Sequence, residues 1–168
     1  VGTMPVQAAD NEVDPDVQEV FGQLQAGKRV KSETAYVTPE QPTVYLTFDD
    51  GPSKLTNQVL DILDKEDVKA TFFVLGEQAK AHPAELKRIV NRGHAIGNHT
   101  YNHVYKELYS DFQTFWNQIQ RSEEVINNIV GIRPQLVRAP GGTATNFDAS
   151  YFYLMEQAGY IVHDWNVD

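Results

Sequence analysis

Residues 70–75 read Ala-Thr-Phe-Phe-Val-Leu (ATFFVL), six positions with a single polar side chain. A strand with one face in water alternates apolar and polar residues, and this stretch does not, so it must be covered on both faces. Sheets covered on both faces are mostly parallel, with helices joining the strands. The stretch therefore predicts an α/β domain, and the flanking sequence agrees. Upstream, residues 44–48 form an earlier strand and residues 58–66 a helix, with Val59, Ile62 and Leu63 expected to face inward. Downstream, the patterns predict a helix over 84–92 stopped by Gly93, a short strand at 94–97 and a long helix from Asp111 to Val130. A strand at 136–138, a helix over 148–157 and a strand at 160–164 complete the series. Strand and helix alternate throughout, which fits a parallel sheet, either open or closed as a barrel. In both architectures functional residues gather at the carboxyl ends of the strands.

The first 42 residues have a different texture. Residues 1–13 show no periodicity and read as a tail. A short helix is expected from Pro15 to Ala26, capped by Asp14 and ended by Gly27, with a connector over 28–42. The folded domain is then 43–168. No run approaches the ~18 apolar residues of a membrane span, so no transmembrane segment is expected. Against 23 acidic residues stand 14 basic ones, for a net charge of −9. With no Lys/Arg cluster, neither nucleic acid nor an anionic membrane is an expected partner. There are no cysteines, so any metal must be held by histidine and carboxylate.

Three stretches at predicted strand ends carry candidate chemistry. In Thr47-Phe-Asp-Asp-Gly-Pro-Ser53, Asp49 and Asp50 sit side by side. Successive strand residues point to opposite sides, so the two can take different roles; the competing reading is a plain turn, since Asp-Gly-Pro is good turn chemistry. In His99-Thr-Tyr-Asn-His103 two histidines four apart would share one face of a helical turn and can chelate one ion. With one carboxylate they make a triad with open positions, for which zinc fits best and other divalent transition metals are alternatives. In Arg138-Ala-Pro-Gly-Gly142 the arginine can pair bidentately with a carboxylate and orient it. The glycines leave backbone N–H groups open to a substrate oxygen; the competing reading is a Pro/Gly loop with a surface arginine. Of the other histidines, His82 reads as an exposed turn residue, and His94 and His163 belong to strands.

Taken in order, TFDDGP, the H-T-x-x-H of HTYNH and the R-x-P-x-G of RAPGG resemble the first three motifs of the polysaccharide deacetylase family with the NodB homology domain, carbohydrate esterase family 4. ATFFVLG and GHAIGNHT add to the likeness, which runs from Thr43 to the C-terminus and looks closest to bacterial peptidoglycan N-acetylglucosamine deacetylases. The resemblance implies a distorted (β/α) barrel and metal-dependent removal of acetyl groups from N-acetylated polysaccharide, or in some members from O-acetylated xylan. It also implies a setting outside the cytoplasm, secreted or at the cell envelope. Carried over residue by residue, Asp50, His99 and His103 become the metal ligands, Asp49 the catalytic base and Arg138 the residue that orients it. The backbone N–H of Gly141, next to Pro140, becomes the oxyanion donor. A non-catalytic metal- and glycan-binding module on the same scaffold is the alternative. Asp49 and Arg138, needed for turnover but not for metal binding, weigh against it.

Two departures from the family pattern stand out. Members often carry an aromatic residue between the Pro and Gly of the third motif, where Gly141 stands here, so one wall of the sugar groove is expected to be lost. The family also continues past a W-x-V-D stretch, matched by Trp165–Asp168, into motifs that supply a general-acid histidine. Residues 1–168 are therefore expected to be part of a longer chain, with a barrel truncated at its C-terminal end and completed by a further segment or by another chain. Tyr101, Tyr105 and Tyr109 could stack on sugar faces, but they read first as packing residues.

Overall fold

The computed structural model describes residues 39–168; the helix expected at 15–26 lies outside the described residues. Eleven elements follow in order: β1 (Thr47–Gly51), α1 (Thr56–Lys65), β2 (Thr71–Val74), α2 (Gly76–Ala81), α3 (Pro83–Asn91), β3 (Ala95–Asn98), α4 (Tyr105–Leu108), α5 (Phe112–Val130), β4 (Leu136–Val137), α6 (Ala149–Gln157) and β5 (Ile161–Val162). The strands form one sheet in sequence order, β1-β2-β3-β4-β5, and every pairing is parallel. This is the α/β architecture expected of ATFFVL. Among the described residues β5 does not pair with β1, so the sheet is open rather than a closed barrel.

β2 is covered on both faces, as its composition requires. Phe72 and Val74 join Leu60, Leu63, Ala79, Leu86, Ile89, Ile96 and Ile126 in a core between sheet and helices. Phe73 points the other way, and Gly97 of β3 lies against it so closely that a Cβ there would come within 2.3 Å of the Phe73 ring. A second core joins Phe112, Phe115 and Ile119 of α5 to Val137, Leu154, Met155 and Tyr160. Each such side chain, once buried, stabilises the fold by about 1.5–3 kcal/mol. α5 spans both cores. Its start is fixed by the Asp111 carboxylate, which accepts from the Thr114 N–H at 2.7 Å, and its end by Gly131 in the left-handed region at φ 72°. Asp148 caps α6 in the same way, accepting from the Ser150 and Tyr151 N–H groups.

Some local expectations are corrected. β1 starts at Thr47, not Val44, and Val44 is 84% exposed. An edge strand extends only as far as its one neighbour pairs with it; here the Thr71 N–H bonds to the Leu46 carbonyl and the Cα register opens at Thr47–Thr71. In α1 the buried residues are Thr56, Leu60 and Leu63, while Ile62 is 61% exposed. The short helices α2 and α4 were not expected. No helix among the described residues is long and apolar enough to cross a membrane.

Candidate active site

The carboxyl end of β1 is irregular, and the irregularity separates the two aspartates. Asp49 is in register with Phe73, but the next pair is Gly51 with Val74, so Asp50 is an extra residue in the strand. It adopts φ 66°, a region that aspartate tolerates better than most side chains. Such a bulge re-aims a side chain. Asp49 turns to Arg138, and Asp50 to the two histidines. The expected divergence is observed, but the bulge produces it rather than simple strand alternation.

The histidines come together through a loop, which corrects the expectation of a helical turn. Thr100 and His103 both have positive φ, 73° and 59°. These conformations are held by a local bond and by anchors on α5. Asn98, buried at the end of β3, donates from its amide to the Ile119 carbonyl and accepts from the Thr100 N–H, both at 2.9 Å. The Gln118 side-chain oxygen of α5 accepts from the Tyr101 and Asn102 N–H groups, both at 3.2 Å.

His99 Nδ1 lies 2.7 Å from the Arg138 carbonyl. A carbonyl only accepts, so Nδ1 carries the proton and Nε2 presents a lone pair. That Nε2 is 3.4 Å from Asp50 Oδ1, and His103 Nε2 is 3.5 Å from the same oxygen. Both separations exceed ordinary hydrogen-bond lengths. They match the edge of about 3.4 Å that a tetrahedral ion imposes on ligands about 2.1 Å away. Asp50, His99 and His103 thus form a group that could hold one divalent ion. Burial pushes the His99 imidazole below its usual pKa range, against the Arg138 carbonyl and the nearby Asp49 and Asp50 charges. The balance favours the neutral, ligating form.

Arg138 is 2% exposed and binds four acceptors. Nη1 donates to Asp49 Oδ1 at 2.9 Å and to Thr47 Oγ1 at 2.7 Å. Nε donates to the His163 carbonyl at 3.0 Å and Nη2 to the Asp164 carbonyl at 3.2 Å. The guanidinium also lies over the Phe73 ring, 4.1 Å from its centroid. Its pairing with Asp49 is a single hydrogen bond, not the bidentate one expected, because the remaining donors reach across to the end of β5. Thr47 and the 163–164 backbone are partners the motif did not disclose.

The 138–143 loop brings a backbone donor to the same rim. Pro140 is buried, and its carbonyl accepts from Tyr109 Oη at 2.7 Å and from Asn146 Nδ2 at 3.4 Å. Having no N–H, Pro140 serves as an anchor. Thr143 donates its N–H to the Asp164 carboxylate, 3.0 Å from Oδ2, and its hydroxyl binds the same oxygen. Between these two fixed points stands Gly141, exposed, at φ 72°. Its N–H has no acceptor among the described residues. Asp164 was missed by sequence reasoning, although its place at the end of the last predicted strand was a signal.

The three motifs thus meet at one rim. The family model for polysaccharide deacetylases matches residues 36–163. This chain belongs to the polysaccharide deacetylase family. A peptidoglycan N-acetylglucosamine deacetylase of Bacillus cereus is 41% identical over 126 residues, covering 74% of this chain and 44% of that protein. A peptidoglycan N-acetylmuramic acid deacetylase of Bacillus subtilis is 42% identical over 139 residues, covering 82% of this chain but 28% of that protein. The chain therefore spans less than half of either relative. Among solved structures, a Bacillus cereus polysaccharide deacetylase aligns with a TM-score of 0.70 at 36% identity, over 73% of this chain and 59% of that one. A family 4 carbohydrate esterase from Streptomyces lividans, in complex with acetate, aligns at 0.66 with 31% identity, over 74% and 62%. The parallel sheet described above is that of NodB-type deacetylases.

Proposed function

We propose that this chain carries a metal-dependent deacetylase site that removes N-acetyl groups from a cell-wall or chitin-like polysaccharide. One observation carries the reading: the Asp49–Arg138 pair stands beside the Asp50, His99, His103 group. A site that only bound metal would need the second without the first. The names of the peptidoglycan-deacetylating relatives support the substrate class. A cell-wall substrate in turn puts the enzyme outside the cytoplasm, secreted or at the envelope.

A divalent ion held by Asp50, His99 and His103, zinc being the best match to that donor set, would polarise the acetyl carbonyl and acidify a water. Asp49 is the base. One of its oxygens is held by Arg138, and the other has no partner among the described residues and can take the proton of the attacking water. As water adds to the carbonyl carbon, charge grows on the carbonyl oxygen, and the Gly141 N–H is the donor available to it. Cleavage of the C–N bond gives acetate and a free amine, which takes up one proton as it leaves; the proton held on Asp49 can supply it.

The test is acetate release from N-acetylglucosamine oligomers by the full chain reconstituted with zinc. Release should be lost on chelation and restored by zinc. Stoichiometric metal without acetate release would overturn the catalytic reading in favour of a glycan-binding module. Release only from acetylated xylan would replace the N-acetyl substrate with an O-acetyl one.

A further inference from the structure

The three tyrosines that follow the histidine loop are separated by their surroundings. Tyr101 is covered by the Arg121 guanidinium, 3.6 Å from its ring centroid. Tyr109 spends its hydroxyl on the Pro140 carbonyl, and burial raises its pKa far above the ordinary phenol value. Tyr105, the first residue of α4, is 48% exposed, and its hydroxyl has no partner among the described residues. Its ring stands edge-on to His103, with centroids 5.1 Å apart and planes at 87°. The same ring lies across Gly141. A Cβ placed at Gly141 would come 2.7 Å from Tyr105 Cε1 and 2.8 Å from its hydroxyl oxygen. The ring therefore occupies the volume that any side chain at position 141 would need. One half-exposed aromatic ring thus borders both a metal-facing imidazole and the backbone N–H available to a substrate oxygen.

We propose that Tyr105 is the sugar-positioning residue of this site, its ring stacking on the apolar face of the pyranose that carries the acetyl group. The proposal rests on the deacetylase reading above and adds the residue that seats the substrate. It also answers the departure at Gly141: the groove wall expected to be missing there is supplied from α4. Cε1, Cζ and the hydroxyl of the ring lie against Gly141, yet the residue is 48% exposed, so the contact is made by the exposed part of the ring rather than by a hydrogen bond. A flat ring held between His103 and Gly141 fixes a sugar's orientation at little entropic cost, which is what positioning requires.

The experiment compares Tyr105→Ala and Tyr105→Phe in the full chain, by steady-state kinetics on N-acetylglucosamine oligomers and by zinc content. Each is also made in an Asp49→Asn background, where oligomer affinity is measured by calorimetry without turnover. Tyr105→Ala should weaken oligomer affinity and raise KM by about tenfold, the size of one well-placed aromatic contact, with a smaller change in kcat. Tyr105→Phe should stay within about twofold of the parent, and zinc should remain stoichiometric in all. Unchanged affinity in Tyr105→Ala, an equal loss in Tyr105→Phe, or loss of zinc would each overturn the proposal. Because the affinity arm needs no catalysis, failure of the deacetylase reading would appear as absent acetate release in the parent, independently of Tyr105.

Discussion

Arg138→Lys keeps the charge at the centre of the rim and removes the geometry, so it isolates what the arginine contributes. The guanidinium reaches Asp49, Thr47 and the carbonyls of His163 and Asp164 at once. A lysine presents three donors from one point and cannot span acceptors on both β1 and the end of β5. Keeping the Asp49 contact means giving up the two carbonyls. Hydrogen bonds from charged donors are worth about 1.5–3 kcal/mol each. His163 is exposed and Asp164 half-buried, so water replaces part of the loss, and we expect a net cost of about 2 kcal/mol. For a domain of this size that lowers Tm by roughly 8 °C. The variant should still fold, since small domains hold about 5–15 kcal/mol. Activity should suffer more than stability. A base displaced by about 1 Å costs on the order of 10²-fold, and that loss should fall on kcat rather than KM. Thermal melts of the zinc-loaded protein and steady-state deacetylation give both numbers. A variant with wild-type kcat would show that Asp49 does not depend on this guanidinium for its position, and the account of the rim would fail.

Other expectations follow from single contacts. Asp164→Ala frees Thr143 and loosens the loop that presents Gly141; kcat should fall about tenfold, the loss of part of one oxyanion donor, with zinc content unchanged, and a wild-type kcat would deny the clamp a role. His94 is 6% exposed, and its Nδ1 accepts from the Ala70 N–H at 3.2 Å; burial, then the charge of Lys69, lowers its pKa. The folded state therefore favours the neutral ring, so this stability is complete above the unfolded value of about 6.5 and declines as pH falls below it. Urea melts of the metal-free protein at pH 7.5 and 5.5 should show that loss, shared with His99, and His94→Asn should reduce it; an unchanged pH dependence would refute the assignment. Asp111→Ala removes the cap of α5 and should cost about 1 kcal/mol; a denaturation midpoint equal to wild type would contradict it.

What could be read from the residues alone divides along physical lines. ATFFVL declared its own burial, so the parallel sheet was legible, and the ligand types in TFDDGP and HTYNH pointed to the metal group. What brings the histidines together was not legible. The loop rests on local Asn98–Thr100 and Asn102–Val104 bonds and on long-range anchors to Ile119 and Gln118 of α5, and the long-range anchors are not encoded in any local pattern. The start of β1 was misplaced because Val44–Leu46 have strand composition, yet the pairing with β2 ends at the Leu46 carbonyl. Ile62 has an apolar side chain at helical spacing, yet the core takes Leu60 instead. Tyr105 was the hardest case. Its composition fits packing, and only the docking of α4 against the 138–143 loop sets it over Gly141.

In the proposed mechanism Asp50 serves the metal while its neighbour Asp49 works the water. Zinc content and acetate release, measured side by side for the wild-type chain and Asp49→Asn, test it most directly. One zinc is expected in each, with a rate lower by about 10²–10⁴-fold in the variant, the contribution of a positioned general base. Equal rates, or loss of zinc in Asp49→Asn, would contradict the division of labour between the two aspartates.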